Sequence, residues 1–197
     1  VLAMIALLGA GQSTAWDAFI QSYAGISAYS ATITTFERDG ARVQNSVLTY
    51  TFRKPASATV NVLVGKNAGV TIVWDGGNQV VAHRGHGLLA LFKKSFALRD
   101  PAVMSIRGDS VDEISFSAFI THLEGTPGIV SEEPGPSILG IATVAVTLIP
   151  TSPSADAGLT REVIDLSVPT HLPLRLYGYV GDTMFREIDF SNVQVKG

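Results

Sequence analysis

Apolar positions along the chain fall into two periods. Trp16, Phe19, Ile20 and Tyr23 recur at i, i+3, i+4 and i+7, one stripe of a short helix. Thr14 or Ser13 is placed to cap it, and Asp17 lies near the positive end of its dipole. From Tyr29 the period becomes two. Leu48, Tyr50 and Phe52 alternate with Thr49, Thr51 and Arg53; Val60, Val62 and Val64 follow, then Val70, Ile72 and Trp74. β-Branched and aromatic residues at that spacing predict strands. Asp39-Gly40, Pro55-Ala56-Ser57, Gly65-Lys66-Asn67 and Asp75-Gly76-Gly77-Asn78 supply the turns between them. Connections this short exclude helical crossovers, so the strands form an antiparallel meander.

The middle of the chain reads differently. Leu88–Leu98 suits a strand by one subset of its apolar residues and a helix by another. Asp100-Pro101 has the form of a helix start, and Ser110-Val111-Asp112-Glu113 that of a capping box ahead of a helix ending at Leu123. Phe116, Phe119, Ile120 and Leu123 make one stripe of that helix, with Val111, Ile114 and Ala118 beside it. A face so wide predicts burial on more than one side. Glu124–Ser137, rich in glycine and proline, reads as a loop. Strands resume at Ala142–Leu148, Ile164–Val168, Leu174–Val180 and Met184–Val195, after a turn-rich stretch over Pro150–Gly158. In the last strand the apolar parity shifts between Phe190 and Val193, which places a bulge at Ser191-Asn192. The expected fold is mainly β: a large antiparallel sheet of some nine or ten strands, above the usual ~4–6. A sheet of that size must curl, barrel-like, around helix. The N-terminal helix and two or so mid-chain helices would cover its concave face.

Composition adjusts this picture in three places. The 197 residues are 46% apolar and 16% charged, and contain no cysteine. Disulfides, thiolate metal ligands, thiol nucleophiles and a cysteine-borne lipid anchor are therefore excluded within this stretch. A net charge of −3 and a pI near 5.8 argue against a general grip on nucleic acid. The mean hydropathy of +0.29 is high, and part of the surplus lies in residues 1–15, an uncharged run of signal-peptide character ending in Ser13-Thr14-Ala15. They read as the remnant of an export signal, with a buried N-terminal helix as the alternative. Residues 16–197 read as one domain.

Chemistry is sparse. Of the four histidines, His83, His86, His122 and His171, His83 and His86 lie three apart with no carboxylate or third histidine near them in sequence to complete a metal set, and they read as solvent-facing or structural. Asp109, Asp112 and Glu113 fit the acidic first turn of a helix, and Glu132 and Glu133 a solvated loop. No nucleophile elbow, phosphate loop or dinucleotide fingerprint is present. No cofactor is implied. An apolar pocket lined by Leu48, Tyr50, Phe52, Trp74, Phe116, Phe119, Ile120 and Leu123 would suit acyl chains; packed on each other, the same residues would be ordinary core.

Several runs, taken in order, carry a resemblance. Tyr29-Ser30-Ala31-Thr32-Ile33-Thr34-Thr35-Phe36-Glu37-Arg38, Thr51-Phe52-Arg53-Lys54-Pro55, Ile72-Val73-Trp74-Asp75-Gly76-Gly77-Asn78, and Thr170–Arg175 with Phe190-Ser191-Asn192-Val193 resemble the strands of LolA/LolB-type carriers of outer-membrane lipoproteins. The resemblance implies an unclosed antiparallel barrel and a periplasmic, non-enzymatic, monomeric binder of lipid or acylated lipoprotein. It also implies a transient membrane-protein partner, and a cargo-transfer role for the basic residue before the strand-ending proline, here Lys54 with Arg53 beside it. A cell-envelope interaction module with a self-filled core is the alternative; an enzyme is a third reading.

Overall fold

The computed structural model describes residues 14–85 and 93–197. Residues 1–13 of the signal-like run, His86 and residues 88–92 of the ambiguous stretch lie outside the described residues. Helix α1 (Ala15–Ala24) leads into strands β1 (Ala28–Asp39), β2 (Arg42–Arg53), β3 (Ser57–Val64), β4 (Val70–Trp74), β5 (Gln79–Arg84) and β6 (Lys94–Ala97). Turns over residues 98–115 lead to helix α2 (Phe116–Gly125). Strands β7 (Gly128–Pro134), β8 (Thr143–Pro150), β9 (Arg161–Ser167), β10 (Pro173–Val180) and β11 (Thr183–Lys196) complete the chain.

All eleven strands join one sheet in the order β6-β5-β4-β3-β2-β1-β11-β10-β9-β8-β7. Every neighbouring pair is antiparallel. The sheet is thus two meanders, β1–β6 and β7–β11, joined at the central β1–β11 pair. Its ends, β6 and β7, do not pair, so the mainly β sheet that the alternation predicts is also unclosed, as the resemblance implies. One contiguous core runs from Val80 on β5 to Val146 on β8 and includes both helices, so the sheet wraps around them.

Aromatic rings fill the centre of that core. Phe116 of α2 stacks on Tyr29 of β1 with centroids 4.2 Å apart, and meets Phe19 of α1 and Phe190 of β11 edge-on. Two phenols anchor the segment before α2. The Tyr29 hydroxyl accepts from Phe116 N–H at 3.0 Å, and the Tyr50 hydroxyl donates to the Val111 carbonyl at 3.1 Å. Burial pushes both hydroxyls to higher pKa than free tyrosine, which keeps them neutral hydrogen-bonding groups.

The predicted bulge is present. Ser30 faces Gln194 and Thr32 faces Ser191, one residue more on β11 than on β1, and Asn192 takes φ 52° to accommodate it. Two expectations change. Among the described residues one mid-chain helix stands where two or so were expected: the Ser110 pattern closes only a turn, its N–H bonding Glu113 Oε2 at 2.8 Å, and α2 begins at Ser115, whose hydroxyl accepts from Ala118 N–H. Asp100 likewise caps a turn through Ala102 N–H. The supposed loop Glu124–Ser137 holds an edge strand, β7, exposed at every position and therefore without apolar alternation.

Candidate functional site

The apolar residues singled out in the sequence divide between core and cleft. Tyr50, Phe52, Phe116, Phe119, Leu123 and Trp74 are buried, while Leu48 and Ile120 are half-buried against the same cluster. A cleft of about 500 Å³ runs beside α2 and is lined by residues from both halves of the sheet. Phe52, Trp74, Ala118, Phe119, Leu159, Ile164 and Leu176 give it an apolar wall. Leu48 lines a separate, smaller cavity of about 100 Å³ beneath the segment Val103–Ile114. Tyr50, Phe116, Ile120 and Leu123 line neither cavity, and Tyr50 and Phe116 are fully enclosed by other rings.

Lys54 is held against α1. Its Nζ donates to the carbonyls of Tyr23 at 2.6 Å and Ala24 at 3.3 Å and lies 4.0 Å from the centre of the Tyr23 ring. A cation on the last carbonyls of a helix satisfies groups that have no intrahelical partner. Arg53 alternates to the solvent side of β2 and is exposed, and both line a cleft of about 620 Å³ with Ser27, Ser30 and Lys196. That cleft lies away from the apolar wall beside α2, with no lining residue in common.

The other wall of the 500 Å³ cleft is charged, with Asp109, His122, Asp156 and Arg186 in its lining and Glu162 and Glu37 buried behind them, a row the alternation did not single out. Glu162 of β9 and Arg186 of β11 both face Gly178 of β10, and Arg186 faces Glu37 of β1, so the three charges lie in one row across the inner face. Gly178 leaves the space above itself to Leu159, whose methyl a Cβ there would meet at 2.9 Å. Asp109 and Asp156 reach the row from loops, and His122 from α2. His122 Nε2 lies 2.7 Å from Glu162 Oε2 and 3.2 Å from Asp156 Oδ1, and the hydrogen bonds it donates to Asp156 and Glu162 push its pKa up to about 10. Burial pulls the Arg186 guanidinium down, but Asp109, Glu162, Glu37 and Asp156 outweigh it and raise its pKa. Burial first, and the charge of Asp109 second, push Glu37 up to about 7. Alternation held the signal: Glu37 shares parity with Ile33, Glu162 with Ile164, and Arg186 with Ile188, all inward positions.

Asp112 and Glu113, read as the acidic turn of a helix, are instead clamped by Arg99, whose Nη1 lies 2.6 Å from Asp112 Oδ1 and Nη2 3.3 Å from Glu113 Oε1. Glu132, read as solvated loop, reaches across from β7. Its carboxylate accepts from Ala15 N–H at 2.9 Å and Trp16 N–H at 3.0 Å. Thr14 and Asp17 complete a capping box on the same turn, so the N-terminus of α1 is fully bonded.

No family model matches the sequence. No curated protein matches it either. Solved structures do share its shape. The Mycobacterium tuberculosis lipoprotein LppX is 12% identical with a TM-score of 0.52, over 91% of this chain and 92% of that one. A DUF1329 family protein from Desulfovibrio piger is 11% identical with a TM-score of 0.48, over 92% of each chain. The LolA superfamily protein NE2245 from Nitrosomonas europaea is 8% identical with a TM-score of 0.42, over 94% of this chain and 95% of that one. The chain therefore shares the fold of LppX. No helix among the described residues is long and apolar enough to cross a membrane.

Proposed function

We propose that this chain is a cell-envelope carrier or binding protein, exported to the periplasm, that holds the acyl chain of a lipid or lipoprotein in the cleft beside α2. The observation that carries the reading is the cleft itself: about 500 Å³, walled on one side by Phe52, Trp74, Phe119, Ile164 and Leu176, on the inner face of an unclosed sheet. Such a volume lies within the ~300–1,000 Å³ of ordinary ligand sites. Each methylene that leaves water for that wall is worth about 0.8 kcal/mol, so a chain of a dozen carbons needs no covalent chemistry to stay bound. The charged wall opposite suits a polar head group. The fold shared with a lipoprotein of the LppX type supports the same reading. On it, Lys54 acts by fixing α1, and the eight apolar residues divide into those that touch cargo and those that stiffen the wall behind it.

The test is native mass spectrometry on protein purified without detergent, followed by uptake of a fluorescent fatty acid. Ala118, half-buried on α2 and lining the cleft, is replaced by tryptophan to fill it. The expected result is stoichiometric lipid on the native chain and a loss of uptake of about tenfold or more in Ala118→Trp, with unchanged circular dichroism. Absence of lipid and of uptake in the native chain, or full uptake by the plugged variant, sinks the proposal. A stable protein partner co-purifying without lipid favours the interaction-module reading instead.

A further inference from the structure

Four carboxylates in and behind the charged wall, those of Asp109, Glu162, Glu37 and Asp156, act on a single buried guanidinium, that of Arg186. His122, in contact with Asp156 and Glu162, carries positive charge there, and Arg107 lines the same cleft with its Nη2 on the Ala157 carbonyl. With every acid ionised the cluster still holds an excess of negative charge, in a place where unpaired charge is costly. A proton on His122 satisfies the imidazole and the oxygens it meets, Glu162 Oε2 and Asp156 Oδ1. It leaves Asp156 Oδ2, Asp109 Oδ2 and Glu37 Oε2 buried, with no hydrogen-bond partner among the described residues. Asp156 is 97% buried by its side chain, so water does not provide for that oxygen freely.

The donors of His122, Asp156 and Glu162 lie within 4.8 Å of one another. Ligands at ~2.0–2.2 Å from a tetrahedral metal are separated by about 3.3 Å. To admit one, the 3.2 Å spacing of His122 from Asp156 must open by about 0.1 Å and the 2.7 Å spacing from Glu162 by roughly 0.6 Å. The three come from separate elements (α2, the loop before β9, and β9 itself), so their convergence does not follow from local helix or strand geometry. From this geometry we infer that His122, Asp156 and Glu162 form a binding site for one divalent transition-metal ion of the Zn²⁺ type. One nitrogen and two oxygens suit Zn²⁺ or Co²⁺ over Mg²⁺, which takes oxygen and water. The remaining coordination positions face the cleft, where Asp156 and His122 are part of the lining. The ion would tie α2 to β9 and to the loop before it, and would supply the cation that the cluster lacks.

The experiment uses the full chain after chelator treatment, without lipid, so that its outcome is independent of cargo binding. ZnCl₂ is titrated calorimetrically, and Co²⁺ is followed by its visible absorption. His122→Gln is the diagnostic variant, because 39% of that side chain is exposed and its replacement leaves the core intact. Glu124→Gln, exposed on the same helix, is the control. Expected are one Zn²⁺ per chain, a tetrahedral Co²⁺ spectrum, and a rise in melting temperature on adding metal. His122→Gln weakens binding by about tenfold or more and abolishes the rise, while Glu124→Gln changes neither. Absence of stoichiometric binding by the native chain overturns the site. Equal affinity in His122→Gln also overturns it, since that places the metal elsewhere.

Discussion

Asp165 is buried on the face of the sheet opposite the cleft, and neither of its carboxylate oxygens has a hydrogen-bond partner among the described residues. Burial pushes its pKa up to about 6; Arg175, itself bonded to Asp189, opposes the shift, and Asp189 adds to it. In the unfolded chain the group titrates near 3.8. Between those values the folded protein keeps a proton that the unfolded chain has released. Its stabilising effect is complete below about pH 4 and is lost as pH rises through about 6, on the order of 3 kcal/mol in all. Asp165→Asn keeps the shape and removes the titration. Its urea midpoint, measured at pH 4.5 and pH 8, should exceed that of the native chain at pH 8 and approach it at pH 4.5. The inward charges were legible by the same residue-level logic, since Glu37, Glu162 and Arg186 sit on the apolar parity of their strands. What composition hid was their convergence: strands remote in sequence place them in one row, and only pairing register reveals it.

At the scale of elements, α1 was readable from its stripe and its Thr14 cap, and the bulge in β11 from a parity shift. Strand β7 was not. An edge strand exposed on both faces has no buried side to impose alternation, and its only signature is pairing with β8. The Ser110 pattern misled for a related reason: the bonds of a capping box close a single turn as readily as the first turn of a helix. Here Arg99 and the Tyr50 hydroxyl hold that turn, and α2 waits for Ser115. Glu132 joins the two elements that differ most in legibility, capping α1 from β7. Glu132→Ala removes the acceptor of two helix N–H groups and should cost about 1–2 kcal/mol. Hydrogen exchange should show the loss concentrated in α1 and β7, with β1 and β2 still protected; uniform loss across the sheet would refute the coupling.

At the scale of the whole molecule, the meander, the curled sheet and the helical filling followed from alternation, short turns and strand count, and the open barrel from the resemblance. The cleft did not, because whether rings pack on one another or stand apart is decided by a few ångströms of separation between remote elements. Phe116 and Tyr29 touch; Phe119 and Trp74 both border open space. The two meanders depend on their central joint, where β1 and β11 pair from Ala28–Lys196 to Glu37–Arg186. Each meander alone leaves an unpartnered inner strand and an apolar face without its complement. A chain ending after Gly181 lacks β11 and should therefore lack a cooperative thermal transition by circular dichroism, and retention of a sharp transition would show that the fold does not depend on the β1–β11 joint.

The position of that joint also sets a timetable. In most meanders each new strand adds to the growing edge as it is made. Here the first strand finds one of its two neighbours only when the last has been synthesised, so the sheet is completed at its middle and not at its rim. Contacts that span nearly the whole chain form slowly. A chain threading through a narrow channel would thus remain open along its centre until its final strand came free, and would close all at once.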